Sequence, residues 1–143
     1  MNKNTKKYKK ALEDIKQDGF KLRYKYVQDV ADEEICLAAV KNDGYALEYV
    51  SPENQTQEIC LAAVKQDGYA LRYVSPENQT PEICLVAVKQ YADALRYVSP
   101  TKELVEGMLK LDPYIGDKIM DNTPDWIKYF PEDIRDAYLL TSI

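Results

Sequence analysis

The 143-residue sequence contains no histidine, only five glycines, one tryptophan and three cysteines. Without histidine, the commonest general base, triad partner and metal ligand is missing. The five glycines form no glycine-rich loop that could cradle a phosphate. Cys36, Cys60 and Cys84 recur every 24 residues, and an odd count at that spacing is neither a disulfide framework nor a zinc pattern. They read as small apolar core residues kept reduced. Ser51, Ser75 and Ser99 each precede proline and read as turn caps rather than nucleophiles. The longest apolar runs, 59–64 and 83–88, are six residues, far short of the roughly 18 that span a bilayer. The lysine-rich start runs into Ala11-Leu12-Glu13-Asp14 rather than an apolar segment, so no secretory signal is read and the expected location is cytoplasmic.

What the sequence does contain is a repeat. Residues 34–56 and 58–80 differ only at Asn42 for Gln66 and Glu48 for Arg72, and a third copy begins at Glu82, with a period of 24 residues. A fixed period of this length marks units that cannot bury their own apolar face and must stack on neighbours. The hydrophobic content of 45% and charged content of 30% suit a folded chain. The net charge of -5 is uneven. Residues 1–27 carry nine Lys or Arg against three acids, and residues 28–143 carry ten against twenty-one, net -11. An acidic body with a basic leading edge suits nucleic acid poorly along its length.

Each unit reads as a short helical hairpin. Thr56 and Thr80 are N-cap candidates, Pro81 suits the first helical position, and Glu58 and Glu82 complement the dipole. On the helix beginning at Glu58, Ile59, Cys60, Leu61, Ala63 and Val64 leave a narrow stripe of Glu58, Ala62 and Lys65. Asp67-Gly68 breaks the helix, with glycine expected to take the left-handed conformation of a C-cap. A second helix of about two turns follows at 69–74, its Ala70, Leu71 and Val74 inward and its Tyr69 and Tyr73, four residues apart, outward beside Arg72. Ser75-Pro76-Glu77-Asn78 reads as a cap and turn. The expected fold is all-α, an α-solenoid-like array with a basic capping repeat at 1–33, near-identical repeats at 34–100 and a degenerate acidic cap at 101–143.

Three departures stand out. The first unit aligns at an offset of 25 and has fewer apolar positions, as an exposed cap should. The copy beginning at Glu82 has Tyr91-Ala92-Asp93 where its predecessor has Asp67-Gly68-Tyr69. Loss of glycine there is expected to alter the turn or let the two helices run together. After Pro100 the period decays. Thr101 to Val105 echoes the helix start, Asp112-Pro113-Tyr114-Ile115 echoes the Asp-Gly-Tyr-Ala turn, and Thr123-Pro124-Asp125-Trp126 and Pro131-Glu132 start further helices. Trp126 reads as an anchor in the core of the cap.

The repeated phrase Glu-Ile-Cys-Leu-Ala-Ala-Val-Lys-Gln-Asp-Gly-Tyr-Ala-Leu-Arg-Tyr-Val resembles the short helical repeats of the domain-of-unknown-function family 4116. The Ala-Val-Lys-Gln-Asp-Gly core and the following Ala-Leu-x-Tyr carry the likeness over residues 12–100, in four units. The resemblance implies an α-helical repeat protein of a virus, prophage or rapidly changing bacterial locus, and supplies no catalytic residues.

Catalysis is not expected, and neither a cofactor nor a metal is. Asp112, Asp117, Asp121 and Asp125 lack the alternating spacing and central glycine of a calcium loop. The positive signal is aromatic. Tyr45, Tyr49, Tyr69, Tyr73 and Tyr97 recur beside Glu48, Arg72 and Arg96 and, stacked, would form a ridge rich in residues that dominate binding hot spots. With Tyr91 and Asp93 of the altered turn, these residues are the expected partner-binding surface, inter-repeat packing being the competing role. The leading functional expectation is a protein-binding module. A second is an acidic, phage- or virus-borne inhibitor that binds a host defence nuclease and blocks its nucleic-acid channel, and a third is nucleic-acid binding through the lysine-rich first repeat. A membrane partner is not expected.

Overall fold

A computed structural model describes residues 2–141. Eight α-helices alternate with short 3-10 segments: α1 Lys6–Gln17, α2 Lys25–Gln28, α3 Glu33–Asn42, α4 Gln57–Gln66, α5 Pro81–Gln90, α6 Lys102–Leu111, α7 Ile115–Asn122 and α8 Glu132–Thr141. There is no strand among the described residues, and α1, α3, α4, α5 and α6 pack in sequence as one row. The 3-10 segments Gly19–Arg23, Gly44–Tyr49, Gly68–Tyr73 and Ala92–Tyr97 form a second row beside it. The expected all-α repeat array is what the chain forms. Among the described residues no helix is long and apolar enough to cross a membrane.

The helices of the row, α1, α3, α4, α5 and α6, each start on a side-chain cap. The hydroxyls of Thr5, Thr56, Thr80 and Thr101 accept from the backbone N–H three residues on, at 3.1–3.3 Å, and Asp32 does the same for Ile35 at 3.0 Å. Each of these helices except α5, which ends at Tyr91, then stops at an aspartate. The Asp67 N–H still bonds Ala63, but its carboxylate turns forward and accepts from the Tyr69 N–H at 2.9 Å, and Asp18, Asp43 and Asp112 repeat the device. This Asx turn reorients the chain, and six residues remain before the next extended position at Val74. The segment closes as two 3-10 turns, and its period of three places Gly68, Leu71 and Val74 on one buried edge.

The core is the line of Ile59, Cys60, Ala63 and Val64 on α4 with Ala70, Leu71 and Val74 on the 3-10 segment, repeated unit by unit, and all are 3% exposed or less. Full burial of each larger aliphatic contributes about 1.5–3 kcal/mol. Leu61, placed on the buried side from sequence, sits half-buried at the edge with Ala62. Burial lifts the Cys36 and Cys60 thiols to about 11 and the Cys84 thiol to about 12, so these cysteines act as packing groups.

Two expectations about the turn are overturned. No glycine among the described residues has positive φ, so Gly68 is not a left-handed cap. Its role is proximity: a Cβ there would stand 2.8 Å from the Ala87 carbonyl oxygen of α5, and at Gly44 and Gly19 the same construction lands 2.5 Å from Ala63 O and 2.3 Å from Ala39 O. Nor does loss of glycine alter the turn at 91–93. Tyr91 keeps an extended backbone (φ -138°, ψ 109°) and Ala92–Tyr97 remains 3-10. Ala92 is half-buried where the three glycines are fully buried, and its segment packs against α7, so a methyl group fits.

The cap after Pro100 keeps the Asx turn at Asp112 but follows it with α7, an inserted helix, before the 3-10 form returns at Pro124–Tyr129 rather than as the further helix read there. Trp126 is buried, as a core anchor should be. Helix α8 buries no residue fully and leaves Leu139 and Leu140 exposed.

Candidate functional site

Along the 3-10 row, the period of three puts Tyr69 and Arg72 on one edge, with Tyr73 beside them over Ala70. Tyr69 and Tyr73, expected to meet at a four-residue α-helical spacing, instead meet partners in neighbouring units. Phe20 packs edge-on against Tyr49, Tyr45 against Tyr73 and Tyr69 against Tyr97, with ring centroids 5.9–6.4 Å apart and planes at 72–89°. The aromatic face is therefore a diagonal ladder, each rung joining the first ring of one repeat to the second ring of the next. Such pairs contribute about 0.5–1.5 kcal/mol beyond area burial. Tyr45, Tyr49, Tyr69, Tyr73 and Tyr97 are half-buried, so packing and exposure coexist in the same rings.

The arginines lie across this ladder. The Arg72 guanidinium carbon is 5.2 Å from the Tyr73 ring centre and 5.7 Å from that of Tyr97, bridging two repeats. Arg96 sits 4.9 Å over Tyr97 and donates to its hydroxyl at 2.9 Å, while Arg23 sits 5.0 Å over Tyr24. All three are exposed, and no carboxylate lies within 4 Å of any of them among the described residues. In the second unit the same position is Glu48, also exposed.

The altered turn belongs to the same surface. Tyr91 stacks flat on Tyr69, centroids 4.3 Å apart and planes 1° apart, and Asp93 accepts from the Tyr69 hydroxyl at 2.9 Å. That hydrogen bond, with burial behind it, holds the Tyr69 hydroxyl protonated above its ordinary range. The structure thus joins Tyr45, Tyr69, Arg72, Tyr73, Tyr91, Asp93, Arg96 and Tyr97 by direct contacts, while Tyr49 packs on Phe20 of the first unit.

The sequence reading missed the amides that hold this face in register. Gln55 is 7% exposed. It donates to the Val50 and Tyr73 carbonyls at 3.2 and 2.8 Å and accepts from the Ser75 N–H and the Asn78 amide at 3.0 and 3.2 Å. Gln79 repeats this between the next two units, and Gln28 bonds the Tyr49 carbonyl at the first junction. A second set, Asn42, Gln66 and Gln90, accepts from the N–H of Gly19, Gly44 and Gly68 in the preceding unit. The recurrence of an amide at fixed repeat positions was the available signal.

The basic first unit is knitted to acids. Lys3 pairs with Asp32 and Glu34, Lys7 and Lys25 with Asp29, and Lys10 and Lys21 with Asp14. Asp14, which also accepts from the Tyr26 hydroxyl at 2.6 Å, is held down to about 2, chiefly by that bond and by Lys10. A cleft beside Asp32, Glu33 and Glu53 is acidic, but Asp32 is already occupied by the Ile35 N–H and the Tyr8 hydroxyl. Among the described residues no three acids or cysteines gather as a metal site.

A family model described as Domain of unknown function (DUF4116) matches the chain three times, at residues 8–55, 32–79 and 56–105. Comparisons with curated proteins and with solved structures each found no match.

Proposed function

Because the chain belongs to the DUF4116 family of tandem helical repeats, we propose that it is a non-catalytic protein-binding module whose contact surface is the tyrosine and arginine face of its 3-10 row. The observation that carries this reading is the set of exposed guanidinium groups lying over tyrosine rings, 4.9–5.7 Å from their centres, with no ion pair to a carboxylate within 4 Å among the described residues. Arginine and tyrosine in fixed conformations bind with little further loss of side-chain freedom. The ladder behind them supplies that rigidity.

The test uses the whole chain as bait beside an Arg72→Ala/Arg96→Ala variant, both residues being exposed and lying over the ladder rather than within its buried core. Circular dichroism and urea midpoints establish that both fold. A protein partner retained by wild type and released by the variant supports the reading, and a partner held equally by both refutes it. In a narrower form, the partner is a nucleic-acid-binding effector occupied by the acidic body, motivated by the net charge of -11 on residues 28–143. Its affinity would fall steeply with salt, whereas aromatic anchoring would not. Direct nucleic-acid binding through the first unit draws less support, since Lys3, Lys7, Lys10, Lys21 and Lys25 are paired internally. Lys6, Lys7, Lys9 and Lys10 changed together to alanine would test it.

A further inference from the structure

The row of residues lying on or beside the ladder reads Arg23, Glu48, Arg72, Arg96, one per unit, all exposed. On the reading of this face as a binding surface, we infer that it receives an acidic segment in the polyproline II conformation, with carboxylates three residues apart lying on Arg72 and Arg96.

Spacing is the first argument. Stacked helices stand about 8–10 Å apart, and the Arg72 and Arg96 guanidinium carbons, 5.7 and 4.9 Å from the one Tyr97 ring centre, are close enough together to be spanned by a single such interval. Polyproline II rises about 3.1 Å per residue with three residues per turn, which returns a side chain to the same face every ~9.3 Å. A β-strand alternates faces at every residue and cannot place residues i and i+3 on one side. The match selects an acid-x-x-acid pattern. Aromatic-lined surfaces also suit this conformation, because the ligand enters already extended and loses little freedom.

The second argument is the state of the guanidiniums. The Arg72 guanidinium carbon lies 5.2 Å from the Tyr73 ring centre and 5.7 Å from that of Tyr97, and the group makes no hydrogen bond to another described residue. Stacking leaves the N–H edge of a guanidinium able to accept a carboxylate in two-point fashion. Arg96 gives one N–H to the Tyr97 hydroxyl and keeps the rest. The nearby acid Asp93 accepts from the Tyr69 hydroxyl at 2.9 Å and, although its charge acts on Arg96, makes no ion pair with it within 4 Å.

Glu48 supplies the register. It takes the position of Arg72 one unit earlier, so a third acid in the ligand would meet like charge there, while a lysine three residues beyond the acid on Arg72 would meet its complement. The complementary segment reads acid-x-x-acid-x-x-Lys, running from the fourth unit toward the second. A nucleic-acid strand, uniformly negative, would meet both Glu48 and Asp93.

The test is fluorescence anisotropy of the full chain with labelled synthetic peptides on a proline-rich background, carrying two aspartates separated by two, three, four or five positions. Tightest binding is expected at three, with loss of tenfold or more for Arg72→Gln and for peptides carrying asparagine in place of aspartate. Adding lysine three residues beyond the aspartate at Arg72 should strengthen binding to wild type and weaken it to Glu48→Lys. That reversal of sign cannot arise from unfolding. Equal affinity at every spacing, or no reversal with Glu48→Lys, would overturn the inference, as would an oligouridine strand that binds tighter and depends on Arg72 and Arg96. If the Arg72→Ala/Arg96→Ala variant releases a protein partner yet no peptide shows acid dependence, the acidic segment fails and the binding face stands. If the variant retains every partner and no peptide binds, both fail.

Discussion

The glycine of the Asp-Gly-Tyr turn offers a prediction in which two physical arguments give opposite signs. Gly44 has no positive φ, so on conformational grounds Gly44→Ala removes freedom from the unfolded chain and should stabilise by about 0.4–1 kcal/mol. The packing argues otherwise. The new Cβ would lie 2.5 Å from the Ala63 carbonyl oxygen, a backbone atom in the middle of α4, and 3.0 Å from the Gln66 side-chain oxygen that accepts from the Gly44 N–H. Relief requires the two units to separate by several tenths of an ångström, loosening both that hydrogen bond and the Tyr45–Tyr73 contact. Overpacking of this kind costs about 1–3 kcal/mol, so the net expectation is destabilisation of about 1–2 kcal/mol. Equilibrium urea unfolding reads it as a lower midpoint at unchanged slope. Ala92→Gly is the companion, because its site already accommodates the methyl, and it should destabilise modestly through backbone freedom alone. A Gly44→Ala protein as stable as wild type or more so would show that glycine is not there for close approach.

Gln55→Ala leaves the Val50 and Tyr73 carbonyls and the Ser75 N–H without their side-chain partner, and about 2–3 kcal/mol of stability should be lost, against within about 0.5 for the exposed Gln57→Ala, both read from urea midpoints. Asp14 is depressed to about 2 in the folded chain, so its contribution is fully present above its ordinary unfolded value near 4 and is lost as pH falls through about 2; urea midpoints should drop across that window, less so in Asp14→Asn. Native-state labelling with a thiol reagent should be slow at all three cysteines and fastest at Cys36, the least covered at 8% exposed, with all three reacting at once in denaturant. Backbone amides of α8, which buries no residue fully, should exchange with deuterium before those of α3, α4 and α5.

Most of the array was legible because it repeats. Near-identity at a 24-residue offset forces the same structure on each copy, and Thr56, Thr80 and Pro81 carry their capping chemistry in residue type alone. What was illegible depends on distances between units. Glycine is used both where φ must be positive and where backbones must touch, and only the position of Ala87 relative to Gly68 distinguishes the two. The 3-10 form of 68–73 is not spelled by residue type, since Ala70, Leu71 and Arg72 are all good α-helix formers. The ladder pairs Tyr45 with Tyr73, 28 residues on, and a periodicity argument confined to one helix could not reach that contact. The cap departs where α7 is inserted, although the Asp112 turn that precedes it is spelled like the others.

The differences between near-identical units gain meaning from what the scaffold does with each position. Asn42 for Gln66 is structurally silent, since the shorter amide still reaches the preceding glycine N–H, at 2.8 Å against 2.6 Å. Val86 for Ala62 adds bulk at a half-buried edge, and Tyr91-Ala92-Asp93 preserves the backbone turn. Glu48 for Arg72 is different in kind: it changes neither core nor turn, it reverses the charge of an exposed row, and no internal partner within 4 Å explains it among the described residues. If that exchange were surface drift, Glu48→Arg would leave every binding property unchanged and move stability by less than about 0.5 kcal/mol. If the row sets which charges a ligand must present, Glu48→Arg keeps the same stability but shifts preference from acid-x-x-acid-x-x-Lys toward three acids in a row. Stability and preference measured on that one variant separate the two accounts, because only a surface read by a partner changes its preference while its fold stays still.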